Sequence, residues 1–127
     1  MKILVCGGRD YKDKQKLFDC LSRMHDVGGD PWLMEITHLI HGGATGADSY
    51  ASEWAMANTC HDGTPIFVSV YHAQWDKHGR SAGSIRNQQM LDEGKPQMVV
   101  AFPGGIGTAD MVSRAAAAGL PVVKVDG

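Results

Sequence analysis

The chain has 127 residues, the size of one ordinary domain, and its formal net charge of −2 argues against broad electrostatic capture of nucleic acid. Hydrophobic content of 43% and charged content of 20% exclude wholesale disorder. No apolar run reaches membrane-spanning length, and Met1-Lys2-Ile3-Leu4-Val5 is too short for a signal peptide, so a cytoplasmic location and no membrane partner are expected.

Short apolar runs at 3–6, 38–40, 66–70, 98–102 and 122–125 read as strands, with a helical pattern in each gap. Leu17, Phe18, Leu21 and Met24 mark the apolar face of the first helix, which Gly28-Gly29 and Pro31 should end. Ala47, Tyr50, Ala51, Trp54 and Ala55 follow helical spacing in the second. A third helix is expected from about 84 to Gly94, and a fourth from about 108 to 118, closed by Gly119 and Pro121. Strands separated by helices imply an α/β fold, a single Rossmann-like domain over 1–127, with a mainly parallel five-stranded sheet and helices on both faces.

Cys6, Cys20 and Cys60 form no Cys-x-x-Cys pair and read as buried free thiols. The six histidines lack metal-ligand spacing, so neither a metal nor a cofactor is expected.

The glycines carry the functional signal. Gly7-Gly8-Arg9-Asp10 follows the first strand, His41-Gly42-Gly43-Ala44-Thr45-Gly46-Ala47-Asp48 the second, and Pro103-Gly104-Gly105-Ile106-Gly107-Thr108 the fourth. In a parallel sheet these loops share one edge and converge on one crevice. Glycine allows backbone to approach a ligand, and each following helix start offers N–H groups to an anion. Thr45 and Thr108 add hydroxyls, and Arg9 and Arg86 are fork-shaped phosphate partners. For Gly7-Gly8 a tight turn and a ligand contact both stay open. No loop ends in the Lys-Ser/Thr of an ATPase phosphate loop, and Gly-x-Gly-x-x-Gly is absent, which disfavours standard ATP or NAD binding.

Segment 71–80 has two readings: aromatics that stack on a base with His78 or Asp76 for proton chemistry, or a surface loop that Trp75 anchors to the core. The anchor is favoured for Trp75, and His78 stays open between the two. Asn87 and Gln88 either bond ligand phosphate or start the third helix.

Arg86-Asn87-Gln88-Gln89-Met90, followed by Val99-Val100-Ala101-Phe102 and the full Pro-Gly-Gly-x-Gly-Thr motif at 103–108, resembles the SLOG superfamily. That group includes the LONELY GUY phosphoribohydrolases and the DNA-processing protein of transformation. The loops at 7–10 and 41–48 resemble their counterparts there, and the whole set is most similar to the YspA/YpsA-related branch. The resemblance implies a crevice for nucleotides or nucleotide-derived ligands, lined by Gly8, Arg9, Gly42, Gly43, Thr45, Gly46, Asp48, Arg86, Asn87, Pro103, Gly104, Gly105, Gly107 and Thr108. In the phosphoribohydrolases an arginine and a glutamate cleave the base–ribose bond; the arginine maps onto Arg86 but the glutamate onto Met111, which cannot activate water or stabilise a ribosyl cation.

Two functions from different classes follow. One is a sensor, carrier or sequestering module for a phosphate-bearing ligand. The other is an N-glycosidic hydrolase with Arg86 and either Asp110 or Asp48 as catalytic groups. Helix capping is the competing reading of both aspartates. Single-stranded DNA fits the acidic balance less well. A homo-oligomer is expected.

Overall fold

Branched and aliphatic runs form the five strands, β1 (Lys2–Cys6), β2 (His38–His41), β3 (Phe67–Val70), β4 (Met98–Ala101) and β5 (Val122–Lys124). Between them lie α1 (Lys14–His25), α2 (Ala47–Ala57), α3 (Trp75–His78), α4 (Ala82–Gly94) and α5 (Ile106–Ala117). The computed structural model describes residues 1–25 and 35–126, and the expected stop of the first helix at Gly28-Gly29 and Pro31 lies outside the described residues. The sheet is parallel throughout and ordered β3-β2-β1-β4-β5, with Leu4 paired to both Ile40 and Val99.

Strand side chains alternate between two faces, and each face has its own core. Ile3, Val5, Val100 and Phe102 pack against Leu17 and Leu21 of α1 and Ala51 and Trp54 of α2. Leu4, Cys6, Val99 and Ala101 pack against Met90 and Leu91 of α4 and Met111 and Ala115 of α5. The doubly wound α/β arrangement is therefore present, with helices on both faces. Among the described residues no helix is long and apolar enough to cross a membrane.

Local chemistry ends the helices. Lys95 takes a left-handed conformation (φ 49°) just before Pro96 and stops α4. At the end of α5, Gly119 (φ 77°) donates to the Ala116 carbonyl and Leu120 to that of Ala115, both at 3.0 Å, which closes a Schellman turn.

Three features differ from the sequence expectation. Segment 75–81 is not a plain loop: α3 and a 3-10 turn at Gly79–Ser81 feed directly into α4, which starts at Ala82. The helix after β4 begins at Ile106, two residues earlier than its threonine suggests. Cys20 is only half-buried, whereas Cys6 and Cys60 are buried; all three are free thiols.

Candidate functional site

β1 and β4 are neighbours at the centre of the sheet, yet their following helices leave to opposite faces. The strand order therefore reverses there, and a crevice opens beyond their carboxyl ends. Its floor is tied by backbone. Phe102 N–H donates to the Cys6 carbonyl at 2.9 Å, and Gly8 N–H to the Pro103 carbonyl at 2.8 Å. A cavity of about 1040 Å³ fills the crevice.

One wall is the start of α5. The first bond of its ladder runs from Ala109 N–H to the Gly105 carbonyl at 3.0 Å, and no side chain caps the end. The N–H groups of Ile106, Gly107 and Thr108 therefore precede the ladder, at the positive end of the helix dipole. The glycines here are of two kinds. A Cβ on Gly104 would meet Thr108 Oγ1 at 2.2 Å and Gly8 N at 2.7 Å, so packing demands that glycine. A Cβ on Gly105 or Gly107 would meet nothing within 4 Å.

The loop after β2 is braced from within. Asp48, on the first turn of α2, accepts from Gly42 N–H at 3.0 Å and Ala44 N–H at 3.3 Å. Burial pushes its pKa up, although the two backbone donors and the Arg86 and Arg9 charges pull the other way. Arg86 projects from α4 and donates from Nη1 to the Gly42 carbonyl at 2.8 Å, and more weakly to that of Tyr71 at 3.4 Å. Burial lowers the Arg86 pKa, opposed by the Asp48 charge. His41 is buried; its Nδ1 accepts from Gly43 N–H at 3.0 Å, which leaves the proton on Nε2. That nitrogen has no partner among the described residues, and burial, with the His72 and Arg86 charges, holds the pKa down at about 4.

Asn87 joins α4 to α5. Its Oδ1 accepts from Arg86 Nε at 3.0 Å, while Nδ2 donates to Asp110 Oδ2 at 3.0 Å and to the Gly107 carbonyl at 3.2 Å. Asp110 also accepts from Arg114 Nε at 2.9 Å. Burial works to raise the Asp110 pKa, but the bonds from Arg114 and Asn87 and the Arg114 charge outweigh it and hold the carboxyl below its ordinary value. Met111, on the next residue, is completely buried against the sheet.

Of the residues singled out in sequence, Gly8 and Arg9 line the cavity from the first loop, and Asp48, Arg86, Asn87 and Asp110 from the helices. Pro103, Gly104, Gly105, Gly107 and Thr108 complete that wall. Gly42, Gly43, Thr45 and Gly46 do not reach it. Gly42 makes room for Arg86, and Gly43 (φ 73°) lies against the His72 ring. A Cβ on Gly46 (φ 75°) would strike the Gly8 and Arg9 carbonyls, and the Thr45 hydroxyl donates to the Arg9 carbonyl at 3.4 Å. Ala44 is that loop's other contribution to the cavity.

Sequence reading missed Tyr11, Lys12, Arg80 and Ser84, which also line the cavity. Tyr11 and Lys12 had a signal, since they continue the loop that leaves β1. Trp75 is not the core anchor expected. It is 49% exposed and stands on the cavity wall. His78 lies off that wall.

Known proteins provide two likenesses. The model of the YspA, cpYpsA-related SLOG family (YAcAr) matches residues 1–78, which include the loops after β1 and β2. The gene 61 protein of Mycobacterium phage D29 is 32% identical over 125 residues, covering 97% of this chain and 94% of the phage protein, and so extends the likeness through α5.

Proposed function

The chain belongs to the YspA, cpYpsA-related SLOG family, and from that membership and the crevice we propose that it binds a phosphate-bearing nucleotide or nucleotide-derived ligand in the cytoplasm, as a sensor, carrier or sequestering module. One observation carries this reading: Gly105 and Gly107 have no protein atom near the place of a side chain. Gly107 lies in the first turn of α5, where glycine costs up to about 1 kcal/mol relative to alanine and no packing contact offsets that cost, while Gly105 is the N-cap, where glycine carries no such penalty. Close approach of a ligand to the backbone accounts for Gly107. The N–H groups of Ile106, Gly107 and Thr108 then hold the phosphate, with the Thr108 hydroxyl beside them. Arg86 supplies positive charge from α4, although one of its terminal nitrogens is already committed to the Gly42 carbonyl.

Turnover by N-glycosidic cleavage needs a carboxylate free to face the ribosyl carbon. Met111 is core, Asp110 Oδ2 is held by Arg114 and Asn87, and Asp48 Oδ2 by two backbone donors. These commitments favour binding without hydrolysis. Phe67 and Val70, exposed on edge strand β3, support self-association, which light scattering on the purified chain tests. The free thiols at Cys6, Cys20 and Cys60 suit a reducing compartment.

Calorimetric titration with AMP, GMP, CMP and UMP, followed by assay of the same mixtures for free base, tests the reading. Saturable binding without base release supports it, and the absence of binding to all four overturns it.

A further inference from the structure

The start of α5 lines a cavity whose volume, about 1040 Å³, far exceeds that of a phosphate group. Trp75, the first residue of α3, lines the same cavity. Its indole is half-exposed and makes no hydrogen bond among the described residues. A Cβ on Gly83 would touch the ring edge at 3.5 Å, so α4 runs close beside the indole without covering it. Arg9, from the loop that also carries Gly8, places its guanidinium carbon 5.7 Å from the ring centroid. That separation is wider than a stacked contact, which brings atoms to about 3.5–4.0 Å. Arg9 is exposed and hydrogen-bonds to no protein group through its guanidinium among the described residues.

We propose that Trp75 is the stacking platform for the ligand's nucleobase, with the Arg9 guanidinium closing on the base from the other side. The proposal rests on the nucleotide-binding reading and assigns a further part of the same site. Two stacked contacts span about 7–8 Å, so from 5.7 Å Arg9 retreats by about 1–2 Å to admit a planar ring. An aromatic ring of this kind recognises any base by its face, so selectivity among bases is weak and purines, with the larger face, bind tighter than pyrimidines. Stacking on one aromatic side chain contributes about a tenfold to a hundredfold in affinity.

The test compares AMP with ribose 5-phosphate, which carries the same phosphate and sugar but no base. Titrations of wild type, Trp75→Ala and Trp75→Phe are read by calorimetry, with circular dichroism establishing that each variant is folded. Wild type binds AMP at least about tenfold more tightly than ribose 5-phosphate, Trp75→Ala removes that difference and leaves the ribose 5-phosphate affinity unchanged, and Trp75→Phe restores most of it. Equal affinity of wild type for the two ligands overturns the stacking proposal alone. So does a Trp75→Ala variant that weakens both ligands equally, or neither. If folded wild type binds neither ligand, the nucleotide reading itself falls, and the platform with it.

Discussion

Arg86 fills the space that the missing side chain of Gly42 leaves: its Nη1 donates to the Gly42 carbonyl at 2.8 Å, and a Cβ on Gly42 would lie 2.2 Å from that nitrogen. The two residues are coupled across 44 positions of sequence. Gly42→Ala therefore forces the guanidinium out, with an expected loss of about 1–3 kcal/mol in urea unfolding. In an Arg86→Ala background the clash is gone, so the same substitution should cost much less. Additive losses in the double-mutant cycle would show that the two residues act independently.

His41 should make the fold acid-sensitive. Its folded pKa of about 4 lies below the ordinary 6.5, so the unfolded chain binds the proton more readily between those values. Stability contributed by neutral His41 is complete above pH 6.5 and declines as the pH falls through 4, by about 3 kcal/mol in all. His41→Asn retains an acceptor for the Gly43 N–H but does not titrate. Unfolding midpoints measured from pH 7 to about 4 should fall more steeply for wild type than for this variant. Parallel profiles would show that His41 ionises freely in the fold.

Asp48 has the opposite sign. Burial raises its folded pKa above the ordinary 3.8, so its contribution is complete below that value and is lost as the pH rises through the raised one. Asp48→Asn can still accept from Gly42 and Ala44 without carrying charge. Relative to this variant, wild type should lose stability as the pH climbs from about 3.8 toward neutrality. A wild type that gains stability over that range contradicts the burial account.

The resemblance to phosphoribohydrolases maps their glutamate onto Met111, whose side chain is sealed between α5 and the sheet. Met111→Glu should not create a hydrolase. It buries an unpaired carboxylate and should destabilise the fold by about 4 kcal/mol or more, whereas Met111→Leu should cost under about 1.5 kcal/mol. Denaturation of both variants, with a base-release assay on any that fold, checks this. Folded Met111→Glu with brisk base release would return that side chain to the cavity and contradict its placement in the core, whereas brisk base release by wild type would overturn the binding-module reading.

Much of this architecture was legible in the amino-acid order. Five apolar runs alternating with helical patterns led to the parallel sheet, and the glycine loops after β1 and β4 led to the crevice. The strand order was not legible, because all five runs are short and apolar and nothing in them marks β1 as central or β3 and β5 as edges. Segment 75–81 has one turn of α-helix followed by a 3-10 turn, too short for an apolar period to appear. The glycines of the second loop were the hardest. Gly42 answers to an arginine far along the chain, and Gly46 to the carbonyls of Gly8 and Arg9, so local sequence cannot separate them from ligand-facing glycines. Trp75 was misread for a related reason. A lone tryptophan in a polar stretch is ordinarily an anchor, and only the fold shows this ring half-exposed on the cavity wall, between Gly83 and the Arg9 guanidinium.

The central claim is that the start of α5 is shaped for a ligand and not for the protein's own packing. Gly107→Ala tests it most directly, because the added methyl meets no protein atom within 4 Å. Paired urea unfolding and AMP calorimetry on wild type and this variant give both halves of the answer. The account predicts stability that is unchanged or raised by up to about 1 kcal/mol, with AMP affinity at least about tenfold weaker. A variant as stable as wild type that binds AMP equally well would contradict it.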